Sequence, residues 1–118
     1  MALDNQKIEF HRGEDFTPIA TLYKNKAHEP EIITDCTVVW NLYADSSCGS
    51  LLKTKTTEDG SITITDGAGG TITFTIASAD TIDLDVGTYY HECWLTKDDE
   101  NIQEFTGPLI LKPGKPPE

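Results

Sequence analysis

Two neighbouring runs constrain this chain more than any others: Ser61-Ile62-Thr63-Ile64-Thr65 and Thr71-Ile72-Thr73-Phe74-Thr75-Ile76. Apolar and hydroxyl side chains alternate residue by residue. Successive side chains of a strand point to opposite faces, so each run carries one core face and one wet face. Isoleucine, threonine and phenylalanine suit a half-buried pleated surface. The connector Asp66-Gly67-Ala68-Gly69-Gly70 tolerates the positive φ angles of a tight hairpin. The same period of two governs most of the chain. Cys36, Val38, Trp40 and Leu42 share one face of a central strand over Cys36–Tyr43, and Thr37, Val39, Asn41 and Tyr43 share the other. Lys7–His11 sets Ile8 and Phe10 together. Phe16–Tyr23 aligns Phe16, Pro18, Ala20 and Leu22, and Pro18 marks an edge or a bulge. Leu51–Thr56, Tyr89–Thr96 and Ile102–Leu111 complete the set, the last interrupted at Gly107-Pro108. Helical periodicity is lacking, except for a single turn expected over Ala77–Leu84 across one end of the sheets. Seven or eight short strands with frequent turn signals predict an all-β, antiparallel sandwich.

The chain has 118 residues, enough for one domain with a proper core. With 37% hydrophobic and 25% charged residues it reads as globular rather than disordered. A single domain is expected over 1–112, followed by an extended, proline-rich tail over 113–118. The net charge is −11, from 20 acids against 9 bases. That balance disfavours nucleic acid, whose partners carry a basic face, and disfavours docking to anionic lipid. Its plain consequence is solubility. Met1–Phe10 carries Asp4, Lys7 and Glu9 where a secretory signal needs an apolar core, so synthesis in the cytosol is expected.

The reactive residues form no catalytic constellation. His11, His28 and His91 are scattered, whereas a zinc site needs three or four convergent ligands; His91 reads as a partly buried, hydrogen-bonded histidine. Gly67–Gly70 precedes a strand rather than a helix, which excludes a phosphate loop. No enzymatic activity and no cofactor are expected. Cys36 and Cys93 are expected to face each other across the core, as reduced thiols ahead of the alternative of a bonded pair, an odd third cysteine, Cys48, lying in a loop. Hard oxygen ligands recur in two acidic turns, Asp80, Asp83 and Asp85 in one, Asp98, Asp99 and Glu100 in the other. They are candidates for calcium, against the plainer reading of solvated turn residues and caps. Trp40 belongs in the core. Tyr90, Glu92 and Trp94 lie on the strand face opposite Tyr89 and form a candidate interaction surface, provided that face meets solvent or a neighbouring subunit.

The run into that strand, Asp85-Val86-Gly87-Thr88-Tyr89, has its own logic. Gly87 permits a sharp bend, Asp85 can cap the preceding turn with its side chain, and a buried phenol needs an upstream partner. The pattern resembles the tyrosine corner of an immunoglobulin-like sandwich, with Asp85, Gly87, Tyr89 and Trp40 as structural residues. In an antibody-type domain the second cysteine follows two residues after that tyrosine. Here the position is His91.

The order of motifs extends the resemblance. His11-Arg12-Gly13-Glu14-Asp15-Phe16, the glycine-rich hairpin over Gly60–Ile76, Ser78-Ala79-Asp80-Thr81, the Gly-x-Tyr corner and a closing strand with Gly107 follow one another. Together, from about Arg12 to Lys112, they resemble small immunoglobulin-like virion proteins of tailed bacteriophages. The resemblance implies a non-enzymatic component of a phage particle, made in the host cytoplasm. Capsid decoration or cement is the first expectation, and a neck, tail or baseplate accessory the second. Its partners would be the major capsid protein or tail and baseplate proteins, with self-association on the particle. The alternative is an adhesive module that binds host-surface carbohydrate through Tyr90, Trp94 and the loop acids, assisted by calcium.

Overall fold

The structure, a computed structural model, describes residues 7–22, 31–45 and 49–113. His28, Cys48 and nearly all of the tail expected over 113–118 lie outside the described residues. Eight strands are described: β1 (Ile8–His11), β2 (Ile19–Thr21), β3 (Thr37–Tyr43), β4 (Leu51–Thr56), β5 (Ile62–Asp66), β6 (Thr71–Phe74), β7 (Gly87–Lys97) and β8 (Glu100–Lys112). One helical turn, α1 (Ser78–Thr81), lies between β6 and β7. The strands form two sheets, one ordered β1-β8-β7-β3-β4 and the other β2-β6-β5. The protein is an all-β sandwich.

The alternation seen in sequence becomes the inside and outside of the sheets. β3 alternates half-buried and buried positions along its length, and Val38, Trp40 and Leu42 are buried. Ile62, Ile72, Phe74 and Ile76 enter the core from the other sheet. Each such side chain contributes about 1.5–3 kcal/mol when removed from water. The core centres on Trp40, whose ring lies 5.0 Å from Phe74 and 5.9 Å from His91, while His91 meets Phe105 edge-on at 5.8 Å. The indole N–H of Trp40 donates to Nδ1 of His91 at 3.1 Å, and both residues are fully buried. His91 is therefore more deeply buried than expected, and the histidine that replaces a cysteine in an antibody-type pattern satisfies the one polar atom of the central tryptophan.

Three expectations need correction. β1 pairs parallel, not antiparallel, with β8, Ile8 opposite Leu109 and Phe10 opposite Leu111. The whole of the chain between His11 and Glu100 connects the two strands, so a parallel pairing needs no tight turn. Secondly, Gly107-Pro108 does not interrupt β8. Arg12 N–H donates to the Lys112 carbonyl, so even-numbered residues of this part of β8 face β1. Pro108 lacks its N–H on that side, one position ahead of Leu109, where the described pairing with β1 begins. Thirdly, Cys36 and Cys93 do not face each other. Both are free thiols in or beside the same sheet, with Cys93 buried opposite Trp40 and Cys36 just before Thr37, which pairs with Thr96.

The upstream partner expected for the Tyr89 phenol is present. The Tyr89 hydroxyl donates to the main-chain carbonyl of Asp85 at 2.6 Å. Asp85 acts there through its backbone; its exposed carboxylate supplies no described cap. Gly87, at φ 149° with open space around its Cα, makes the bend into β7. Below it, α1 is held from two directions. Asp80 accepts the Ala77 N–H at 2.8 Å and pairs with Lys55 of β4 at 2.7 Å. Gly13 N–H donates to Thr81 Oγ1 at 2.9 Å, Ser78 N–H donates to Asp15 Oδ1 at 2.6 Å, and Phe16 bridges Ile76.

Replacing His91 with leucine is expected to destabilise the fold by about 1–3 kcal/mol, because the indole N–H stays buried without an acceptor. A double-mutant cycle with Trp40→Phe in urea checks this: the two costs should fail to add, and strict additivity would mean the bond contributes nothing. Tyr89→Phe should cost about 1–2 kcal/mol. An unchanged unfolding midpoint would remove the corner bond from the account of stability.

Candidate interaction surface

The pairing registers define the outer face of the five-stranded sheet as a grid. Thr56, Val39, Trp94 and Gln103 form one row across β4, β3, β7 and β8; Thr54, Asn41, Glu92 and Thr106 form the next; Leu51, Tyr43, Tyr90 and Pro108 form the third. Tyr90, Glu92 and Trp94 are thus brought together as expected, one from each row, on the face away from Tyr89. Sequence reasoning placed Val39, Asn41 and Tyr43 on one strand face but did not join them to this surface, since only pairing of β3 with β7 sets them beside it. Leu51, 56% exposed, extends the apolar third row to the edge.

The centre of the grid is polar and internally satisfied. Trp94 Nε1 donates to Glu92 Oε1 at 2.8 Å, and Gln103 Nε2 donates to Glu92 Oε2 at 3.1 Å. Beside them Thr54 Oγ1 donates to Asn41 Oδ1 at 3.0 Å. Glu92 is buried beneath its neighbours, only 7% exposed. A buried carboxylate with both oxygens engaged holds the indole in one orientation and is not itself offered to a ligand. The surface therefore presents Trp94, Tyr90 and Tyr43 as half-buried rings around a fixed polar centre, a composition suited to contact with a macromolecule.

A β-bulge makes this arrangement. Cys93 pairs with Phe105 and Trp94 with Gln103, so Glu104 is the extra residue. The bulge rotates Gln103 outward to Glu92 and leaves Glu104 buried at 3% exposure. Glu104 Oε2 has no hydrogen-bond partner among the described residues. Burial pushes the Glu104 carboxyl up to about 7, Glu31 adds to the shift and Lys97 opposes it. Lys97 is itself committed, to Glu31 Oε1 at 2.8 Å and to the Ile32 carbonyl at 2.9 Å. Burial, then the nearby Glu104 carboxyl, raises the Cys93 thiol, so it is inert as a nucleophile near neutrality. No signal in the sequence marked Glu104, because a bulge adds one residue without altering composition.

The calcium candidates do not converge. Asp80 serves α1 and Lys55. Asp83 and Asp85 are exposed before β7, whereas Asp98 and Asp99 form the turn after it at φ 52° and 65°. The eleven residues of β7 separate the two groups by roughly 30 Å. Among the described residues no group of three or more His, Cys, Asp or Glu side chains is placed to hold a metal ion. No protein-family model matches the chain, and no curated protein matches it in sequence.

Because the native state keeps Glu104 protonated up to about pH 7 while the unfolded chain releases that proton near the ordinary value of 4.5, the fold binds more protons in between. Stability should therefore fall as pH rises through that window. Glu104→Gln should flatten the dependence and raise stability near pH 8 by about 1–3 kcal/mol. Urea midpoints of both proteins measured below and above the window test this, and parallel pH profiles would refute it.

Proposed function

We propose that this protein is a non-enzymatic structural component of a tailed-phage particle, an immunoglobulin-like module that binds a neighbouring virion protein through the outer face of its five-stranded sheet. The observation that carries the reading is the grid around Glu92, where three aromatic rings flank a carboxylate already satisfied by Trp94 and Gln103. It spans about 14 Å in each direction. That is the size of the central cluster of a protein interface, within a full footprint of about 800 Å² per partner.

Two further observations support the virion resemblance. The sheets group the strands as β2-β6-β5 and β1-β8-β7-β3-β4. The groupings β2-β6-β5 and β8-β7-β3 follow the B-E-D and G-F-C divisions of an immunoglobulin sandwich, while β1 joins the larger sheet. The two motif segments on which the resemblance rests, His11–Phe16 and Ser78–Thr81, also touch, through Gly13 to Thr81 and Ser78 to Asp15. Their spacing in sequence thus has a physical reason in the fold. Capsid decoration remains the preferred place on the particle, ahead of the neck, tail or baseplate. The engagement of both Glu92 oxygens favours protein over carbohydrate as the ligand of this face.

Co-sedimentation with shells assembled from the cognate major capsid protein, and separately with purified tails, tests the proposal. Binding to shells is expected, and Tyr90→Ala with Trp94→Ala should weaken it by at least about tenfold, or 1.4 kcal/mol, at a temperature where circular dichroism shows the variant fully folded. Binding to tails alone would move the protein to the tail. Binding to neither would overturn the virion role.

A further inference from the structure

A β-bulge re-aims side chains, and the one in β8 aims a carboxyl group into the interior. Glu104 is 3% exposed, and its Oε2 has no hydrogen-bond partner among the described residues. The preceding residue, Gln103, has a side chain of the same size, points outward and donates to Glu92 at 3.1 Å. We propose that the β7–β8 bulge is a proton-operated switch: loss of the Glu104 proton moves the bulge by one residue, and Glu104 replaces Gln103 opposite Trp94 on the outer face.

The register makes this move local. Cys93 pairs with Phe105 on one side of the bulge and Leu95 with Ile102 on the other. Between those pairs, Gln103 and Glu104 together oppose Trp94 alone. Either of the two can be the extra residue without any other pair changing partner. The core residues Cys93, Leu95 and Phe105 therefore keep their places, and exchange of two side chains of equal size leaves the interior volume unaltered. What differs is solvation. A neutral side chain is tolerated inside, whereas an unpaired carboxylate is driven toward water.

The surroundings do not hold a charge inside. Cys93 on β7 meets Glu104 as an uncharged thiol. Lys97 at the end of β7 and Glu31 before β3 are the described charges that act on it, in opposite senses. The Lys97 ammonium is already engaged by Glu31 Oε1 and the Ile32 carbonyl, and Asp98 and Cys36 act on it as well. The smaller sheet presents no titratable group to Glu104 among the described residues. With the carboxyl at about 7 inside and at its ordinary 4.5 in water, the inward form holds its proton longer. The outward form thus gains about tenfold per pH unit between those two values and nothing further above them.

The outer face changes with the bulge. Gln103 leaves Glu92 Oε2, and a second carboxylate arrives beside Trp94, diagonal to Glu92. Neither of their two rows, Thr56-Val39-Trp94 and Thr54-Asn41-Glu92, contains a cation. A surface whose one carboxylate was satisfied internally becomes doubly acidic at its centre, which weakens docking there. That last consequence rests on the outer face being the docking face; the switch itself does not.

The test follows the full chain by NMR from about pH 4 to about pH 8.5, a range that brackets both values. The Trp94 indole N–H and the Gln103 side-chain amide should shift together in one transition, with its midpoint between 4.5 and about 7. Across it, the cross-strand contact of Trp94 with Gln103 should give way to one with Glu104, while those of Cys93 with Phe105 and Leu95 with Ile102 persist. Glu104→Gln should abolish the transition. A Trp94–Gln103 contact that persists to the top of the range would overturn the switch. So would a transition that survives in Glu104→Gln, or one that draws Lys97 from Ile32 and leaves Gln103 in place. In co-sedimentation with shells, binding of the natural protein should fall at least about tenfold from about pH 5 to about pH 8, and that of Glu104→Gln should not. An equal fall in both proteins would overturn the coupling to docking. Absence of binding at every pH would count against the docking face, and the NMR transition would still decide the switch.

Discussion

The rest of the sandwich is arranged around the hydrogen bond from Trp40 to His91. A tryptophan at the centre of an all-β core fills more space than any other side chain, but it carries one N–H that must find an acceptor. His91 supplies Nδ1 from the neighbouring strand of the same sheet at 3.1 Å. That contact fixes the relative position of β3 and β7 more tightly than backbone pairing alone, because a slip by one residue would turn one ring to the outer face and leave the other inside without its partner. Phe74 from the smaller sheet and Phe105 from β8 then close on the pair. The sheets are held together by packing onto this centre, without a disulfide between the described cysteines.

Around that centre, the ends of the sandwich are tied by polar contacts. The segment Arg12–Phe16 and the turn α1 are remote in sequence and meet through Gly13, Thr81, Asp15 and Ser78. Lys55, opposite Trp40 in the sheet, reaches α1 from β4 and pairs with Asp80. A short helical turn has no independent stability. These contacts make it a fixed strut beneath the corner, where Tyr89 bonds back to Asp85. The start of β7, and so the position of Tyr90 on the outer face, follows from that strut.

The β7–β8 bulge links core and surface. It places Gln103 against Glu92 on the outside and confines Glu104 within, next to Cys93. The same irregularity thus orders the aromatic surface and installs a destabilising carboxyl. β1 and β2 are edge strands of the two sheets among the described residues.

Much of the fold was legible from period two alone. The hairpin of β5 and β6, the burial of Val38, Trp40 and Leu42, the single turn before β7 and the corner at Tyr89 depend on local pattern, and local pattern is what a sequence displays. The grouping of Tyr90, Glu92 and Trp94 on one face followed from the same alternation. Their setting did not. Val39, Asn41 and Tyr43 join them only because β3 pairs with β7 in one register, and Gln103 only because Glu104 is bulged out. The parallel pairing of β1, the separation of Cys36 from Cys93 and the wide gap between the two acidic turns likewise depend on which strands become neighbours. The sequence by itself determined which side of each strand is apolar, because side-chain direction alternates along any strand. Tertiary structure alone decided which strands lie side by side and which lie at an edge, because pairing and register join residues far apart in the chain.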